Sequence, residues 1–294
     1  MLIIDEIHLI KSPNAKRTKD IRKLAENIRE QGGLVYGLTG TAVLNGESLE
    51  IWNHLVTLGI QDIAFPGGFP EMCKLGGMGK ITVPNGRGGY VDTWKQVRDP
   101  QPEFAERLRR VMLRRTRKDV FKDTPAKVYH KILIPLEGAK GRELRALLES
   151  LRKDLVRYGN RDILEVMGDP LVLETFSIIR KTSADLKITE MFKWIAEHEE
   201  NFPREGDFYP EPLLVASAHV EPIESLRKLP GWRIISGAVK SEERGEIAQE
   251  FRDGKLAGVG FTIAAGGEGI NLCRQGARRM LFVDCDWRPG KMSQ

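Results

Sequence analysis

The chain has 294 residues, 41% hydrophobic and 30% charged, enough for two domains of ordinary size that each bury a core. No apolar stretch approaches the roughly 20 residues of a membrane-spanning helix, and no basic segment followed by an apolar core marks a secretory leader. A net charge of +5 with pI about 9.0 fits a polyanionic partner without demanding one, and Cys73, Cys273 and Cys285, odd in number and without a C-x-x-C pair, exclude a disulfide or zinc framework.

The first predicted element is a buried parallel strand ending at Leu2-Ile3-Ile4, because its apolar run is continuous rather than alternating. It stops on Asp5 and Glu6, followed by Ile7 and His8. Open α/β sheets build their sites where such strands end, and in a nucleotide-hydrolysing site one carboxylate holds Mg²⁺ while its neighbour orients the attacking water. A strand followed by an ordinary polar turn reads the same residues equally well. Ile21, Leu24, Ala25 and Ile28 then recur at helical spacing, Gly32-Gly33 ends that helix, and Leu34 to Thr39 reads as a second strand. A further helix carries Leu49, Trp52 and Val56 on one face, so the order is that of a parallel, doubly wound sheet.

From Phe65 to Pro102, paired glycines and several prolines interrupt any period and predict an irregular excursion. Phe104 to Lys118 reads as a basic helical stretch, and Glu137 to about Tyr158 as a helix with Leu144, Leu147, Leu148, Leu151 and Leu155 as its apolar stripe. The last third returns to α/β order, with strands at residues 213–216, 232–235, 259–264 and 280–283 and helices around 223–229 and 243–251.

Three further segments carry possible chemistry. Thr39-Gly40-Thr41 follows the second strand, where its hydroxyls suit a phosphate or a hydrogen-bond relay; a plain helix cap is the simpler use. Arg114, Arg115, Arg117 and Lys118 crowd a short run in which Met112, Leu113 and Val120 predict docking, which would aim some arginines inward at carboxylate or phosphate. Gly266, Gly267, Glu268, Gly269, Ile270 and Asn271 form a glycine-rich turn after a strand, whose N–H groups suit phosphate oxygens. The histidines show no metal-ligand spacing, and no G-x-x-x-x-G-K-[ST] occurs in the chain.

Taken in order, Asp5-Glu6-Ile7-His8, Leu38-Thr39-Gly40-Thr41, Met112 to Val120, Gly266 to Leu272 and Phe282 to Pro289 resemble one family. They are similar to DEAH, L-[ST]-G-T-P, M-L-R-R-x-K-x-D-V, G-G-x-G-[IL]-N-L and D-x-x-W-N-P of the Swi/Snf-like branch of superfamily 2 helicases. These are the DNA-dependent ATPases that include chromatin remodellers and annealing helicases. Ser236-Gly237 followed by Arg244 and Phe251 resembles a further family segment.

The resemblance implies an α/β protein of two RecA-like, doubly wound parallel-sheet lobes, with ATP between them and double-stranded DNA across both. Residues 1–120 would be the C-terminal part of a first lobe truncated at its N-terminal side, with the insertion at about 65–102. Residues 121–185 would be linker and helical protrusion, and 186–294 a second lobe truncated at its C-terminal end. Position by position, it implies that Asp5 holds Mg²⁺ through water, Glu6 activates the hydrolytic water, and His8 with Thr39, Gly40 and Thr41 couples phosphate state to lobe closure. Arg114 and Arg115 would align the lobes, and Gly266, Gly267, Glu268, Gly269 and Asn271 would touch DNA backbone and nucleotide. An intracellular setting is implied, nuclear in a eukaryote and cytoplasmic in a bacterium or virus.

Ala42, Ile7 and Arg288 depart mildly from the family patterns. The large departure is that the family's phosphate-binding lysine loop precedes the DEAH box, where this chain has four residues, and its arginine-finger segment follows the position matched by Gln294. Three readings follow: part of an ATP-driven DNA translocase, a non-catalytic DNA-binding adaptor, or half of a split ATPase completed by a chain supplying the phosphate loop and arginine finger. The expectation is that this chain alone hydrolyses no ATP.

Overall fold

A computed structural model of the chain describes residues 1–43, 48–84, 89–120, 127–157, 159, 170–266, 270–273 and 278–286. The chain divides into two compact units, with the boundary between Val128 and Tyr129. It is an α/β protein with parallel sheets.

In the first unit, β1 (Leu2–Ile4) pairs in parallel with β2 (Val35–Gly37), placing Ile3 opposite Tyr36 and Ile4 opposite Gly37. A 3₁₀ turn (Ile7–Ile10) and α1 (Lys16–Glu30) form the crossover that parallel strands require. Helix α1 stops where Gly32 turns left-handed (φ +73°), and the N–H groups of Gly32 and Gly33 return to the carbonyls of Arg29 and Ile28 at 2.8 Å. One face of the strand pair is covered, with Ile4, Ile7 and Ile10 buried against Leu2, Ile21, Val35 and Leu58. The other face is bare: Ile3 is 52% exposed and Tyr36 50%.

Helices α2 (Leu49–Leu58), α3 (Gln61–Ala64), α4 (Gly68–Leu75) and α5 (Pro102–Arg109) build a second core around Ile51, Leu55, Phe65, Met72, Phe104 and Leu108. The rings of Phe65 and Phe104 stack at 5.5 Å within it. The stretch expected to be irregular, 65–102, contains α4 and a regular antiparallel hairpin, β3 (Met78–Pro84) with β4 (Tyr90–Gln96). The basic stretch expected as one helix is two, since α5 ends at Arg109 and α6 covers only Arg117–Val120. Thr116 restarts the helix: its N–H and hydroxyl both donate to Asp119 Oδ2 at 2.7 Å, the reach-back half of a capping box. Those donors hold the Asp119 carboxyl below its ordinary range.

The second unit opens with α7 (Gly138–Arg157), whose Leu144 is buried while Leu147, Leu151 and Leu155 are half-buried and Leu148 is exposed. Helix α8 (Pro170–Asn201) runs 32 residues, so a boundary at 185/186 falls inside a helix. The sheet orders its strands β6 (Trp232–Ile235), β7 (Gly258–Thr262), β5 (Leu213–Ser217) and β8 (Met280–Phe282), all parallel. Short helix α9 (Val220–Ser225), α10 (Ser241–Arg252) and a single turn α11 (Ile263–Gly266) alternate with these strands. All five residues of β7 are buried, the pattern of an interior parallel strand covered on both faces. Leu213, Val215, Ile223, Leu226, Trp232 and Ile234 fill the core with Met191 and Ile195 from α8. Among the described residues, no helix is long and apolar enough to cross a membrane.

Candidate functional site

Where β1 ends, its pairing with β2 continues for two more hydrogen bonds. Leu38 N–H donates to the Ile4 carbonyl (2.8 Å) and Ile7 N–H to the Leu38 carbonyl (2.9 Å). This carries Thr39 alongside the Asp5–His8 turn. Asp5 is exposed, and its Oδ1 accepts the Glu6 N–H at 3.0 Å. Glu6 holds a left-handed backbone (φ 48°, ψ 50°), unusual for a residue with a Cβ and costing on the order of 1–2 kcal/mol. Such a conformation persists where its surroundings over-determine it, here the Leu9 N–H on the Glu6 carbonyl (2.9 Å) and the Ile7–Leu38 bond.

His8, 1% exposed, joins the two segments. Its Nδ1 lies 2.8 Å from Thr39 Oγ1 and 3.1 Å from Glu6 Oε2. The Thr39 hydroxyl donates to the Thr41 carbonyl and accepts the Thr41 N–H, both at 3.1 Å. The structure therefore brings together Asp5, Glu6, His8, Thr39 and Thr41, with Gly40 in the turn between the threonines.

A set of residues that sequence reasoning passed over lies beneath this turn. Glu50, Asn53, His54 and Thr57 recur on α2 at i, i+3, i+4 and i+7, and all four are buried. Glu50 Oε1 takes Lys11 Nζ at 2.6 Å. Asn53 donates its amide to the Ile10 carbonyl and accepts from Arg22 of α1. Thr57 Oγ1 donates to the Asn53 carbonyl (2.8 Å), and Arg29 Nη1 reaches the Thr57 carbonyl (2.5 Å). Burial pushes His54 down to about 4; Glu50 opposes the shift, and His8 and Lys11 add to it. The sequence did carry a signal, polar residues at helical spacing, but such a stripe normally faces water.

Arg114 and Arg115 are exposed in the first unit, beside Asp119. The expected docking is met in part: Met112 packs against the core together with Val111, whereas Leu113 is 81% exposed and Val120 51%. In the second unit, Gly266 ends α11 against Phe261, where an added Cβ would lie 2.5 Å from the ring. Asn271 is exposed; its Oδ1 accepts the Cys273 N–H (3.0 Å) and its carbonyl accepts Arg252 Nη1 (2.7 Å). Gly267, Glu268 and Gly269, like Trp287, Arg288, Pro289 and Gln294, lie outside the described residues. Arg244 ties three segments by donating to the carbonyls of Val239 (2.9 Å), Ser236 (3.2 Å) and Ala265 (3.3 Å). Asp284, just past β8, accepts the Ser217 hydroxyl at 2.5 Å and the Ala218 N–H at 2.8 Å, clipping the ends of β5 and β8 together.

No protein-family model matches the chain. The mouse (Mus musculus) DNA annealing helicase and endonuclease ZRANB3 is 26% identical over 300 residues, covering all of this chain and 26% of that protein. The Caenorhabditis elegans homologue of the SWI/SNF-related matrix-associated actin-dependent regulator of chromatin subfamily A-like protein 1 is 26% identical over 315 residues, covering all of this chain and 39% of that protein. The chain thus spans about a quarter to two fifths of the length of these curated relatives. Among solved structures, the Sulfolobus solfataricus SWI2/SNF2 ATPase core in complex with dsDNA aligns with a TM-score of 0.41 and 18% identity, covering 96% of this chain and 57% of that one. Along its whole length, the chain is distantly similar to ATPases of the SNF2/Swi2 family.

Proposed function

We propose that this chain carries the water-activating part of a DNA-dependent ATPase site, in which ATP hydrolysis drives movement along double-stranded DNA. The observation that supports it most is His8, whose Nδ1 lies 2.8 Å from Thr39 Oγ1 and 3.1 Å from Glu6 Oε2. Through that contact Glu6, the base in this reading, would respond to the segment that senses phosphate. In this reading Glu6 orients and deprotonates the attacking water. Arg114 and Arg115 align the two lobes, and the turn from Gly266 to Asn271 meets the DNA backbone and the nucleotide.

Among the described residues, no cluster of three or more His, Cys, Asp and Glu forms a metal cage. An exposed aspartate at a strand end suits Mg²⁺, which keeps several waters and takes one or two carboxylates plus substrate phosphates. Asp5 would hold it through water, and the ion would neutralise charge on the phosphates.

No G-x-x-x-x-G-K-[ST] occurs in the 294 residues, and in this reading a phosphate loop and an arginine finger supplied by another polypeptide segment would complete the site. Two measurements on the purified chain test this. Duplex DNA should bind with little sequence preference and weaken steeply with salt. ATP turnover should be absent with and without DNA. DNA-stimulated turnover lost in Asp5→Ala or Glu6→Gln would overturn the incomplete-site reading, and binding indifferent to salt would overturn the DNA-backbone reading.

A further inference from the structure

We propose that Asn53 and Glu50 of α2 are positioning residues for the Asp5–His8 turn: Asn53 holds the last carbonyl of the 3₁₀ turn and Glu50 holds Lys11 beyond it, so that His8 is seated against Thr39. The inference rests on reading that turn as the hydrolytic one.

Three observations carry it. The turn is only four residues long, and on its carboxyl side it is gripped from one helix, by the Asn53 amide on Ile10 and by Glu50 on Lys11 at 2.6 Å. On its amino side it is gripped just past β2, where the Leu38 carbonyl accepts the Ile7 N–H. His8 lies between these two grips, buried, with its ring fixed on Thr39.

The second observation is the price of the arrangement. Burying an amide and a carboxylate on one helix face costs several kcal/mol unless each finds a partner, and apolar residues would pack α2 against α1 without that cost. Each polar group instead meets a defined partner on the turn or on α1. The third is chain order: α2 follows the Thr39–Thr41 segment. Thr39 thus touches the turn through His8, and the next helix along the chain holds its far end.

The test uses the 294-residue protein with ¹⁵N-labelled histidine and reads the His8 ring signals together with hydrogen exchange of the Ile7 and Leu9 amides. In Asn53→Asp, which keeps the size and the Arg22 partner but loses the donor, the His8 signals should move. Exchange at Ile7 and Leu9 should rise on the order of tenfold, the scale of one hydrogen bond. Glu50→Gln should act in the same direction. Thr57→Val, a fully buried change on the same stripe that does not touch the turn, should leave His8 in place.

Should the α2 variants fail to fold, Lys11→Ala breaks the Glu50 contact from the half-exposed side and should move the His8 signals alone. Unchanged His8 signals in Asn53→Asp, Glu50→Gln and Lys11→Ala would overturn the proposal, as would an equal change in Thr57→Val. None of these readouts involves nucleotide. An absent ATPase in a completed site would leave this result standing, and the reverse.

Discussion

The two parallel sheets of this chain are held in different ways. In the second unit, β7 is buried along all five residues between β6 and β5, and apolar side chains from α8 and from the helical segment after β5 pack against the sheet. In the first unit, β1 and β2 stand as a pair, with one face on a small isoleucine cluster and the other bare at Ile3 and Tyr36. Two strands alone are marginal in water. What holds the turn that follows β1 is polar: Asn53 on Ile10, Glu50 on Lys11 and His8 on Thr39. The difference teaches that a scaffold can rest on non-directional burial, whereas the turn after β1 rests on directional bonds that fail one at a time.

The contrast can be broken most severely in the second unit. Phe251, fully buried on α10, should cost about 3–5 kcal/mol when cut to alanine, read by chemical denaturation, while His8 signals stay put. Acid should act on the first unit instead. His54 sits at about 4 in the folded chain against an ordinary 6.5, so it is neutral in both states at neutral pH. Below about pH 6.5 the unfolded chain takes up the proton first. Stability therefore falls as pH drops, by roughly 3 kcal/mol at pH 4 from the linkage of about 1.4 kcal/mol per unit. Denaturation curves across this range should show the slope in the native chain and lose that part of it in His54→Gln.

Asn53→Ala leaves the Ile10 carbonyl and Arg22 without their partner and should cost about 1–3 kcal/mol, read as the midpoint shift of the first unit. Ile3→Lys, on the bare face, should change stability by no more than about 0.5 kcal/mol. A large loss there would mean that the exposed face supports the fold after all.

The α/β order was legible because parallel strands write themselves as continuous apolar runs, and residues 213–216 and 232–235 fall within β5 and β6. The hairpin β3–β4 was not, since glycine and proline on either side hide a short run such as Tyr90-Val91-Asp92-Thr93-Trp94. The break between α5 and α6 was written in Thr116-Arg117-Lys118-Asp119, a capping pattern masked by the density of arginine. In the candidate site, Asp5, Glu6, His8 and Thr39 were singled out through the order of their motifs, and the structure places His8 Nδ1 2.8 Å from Thr39 and 3.1 Å from Glu6. The polar stripe Glu50, Asn53, His54 and Thr57 was not legible, because nothing in spacing alone says whether a polar face meets water or a partner.

The most direct test of the hydrolytic role of the Asp5–His8 turn is ATP turnover after a phosphate-loop segment containing G-x-x-x-x-G-K-[ST] and an arginine-finger segment are joined to the chain. The expected result is DNA-stimulated hydrolysis that disappears in both Asp5→Ala and Glu6→Gln. Hydrolysis indifferent to both substitutions would contradict it.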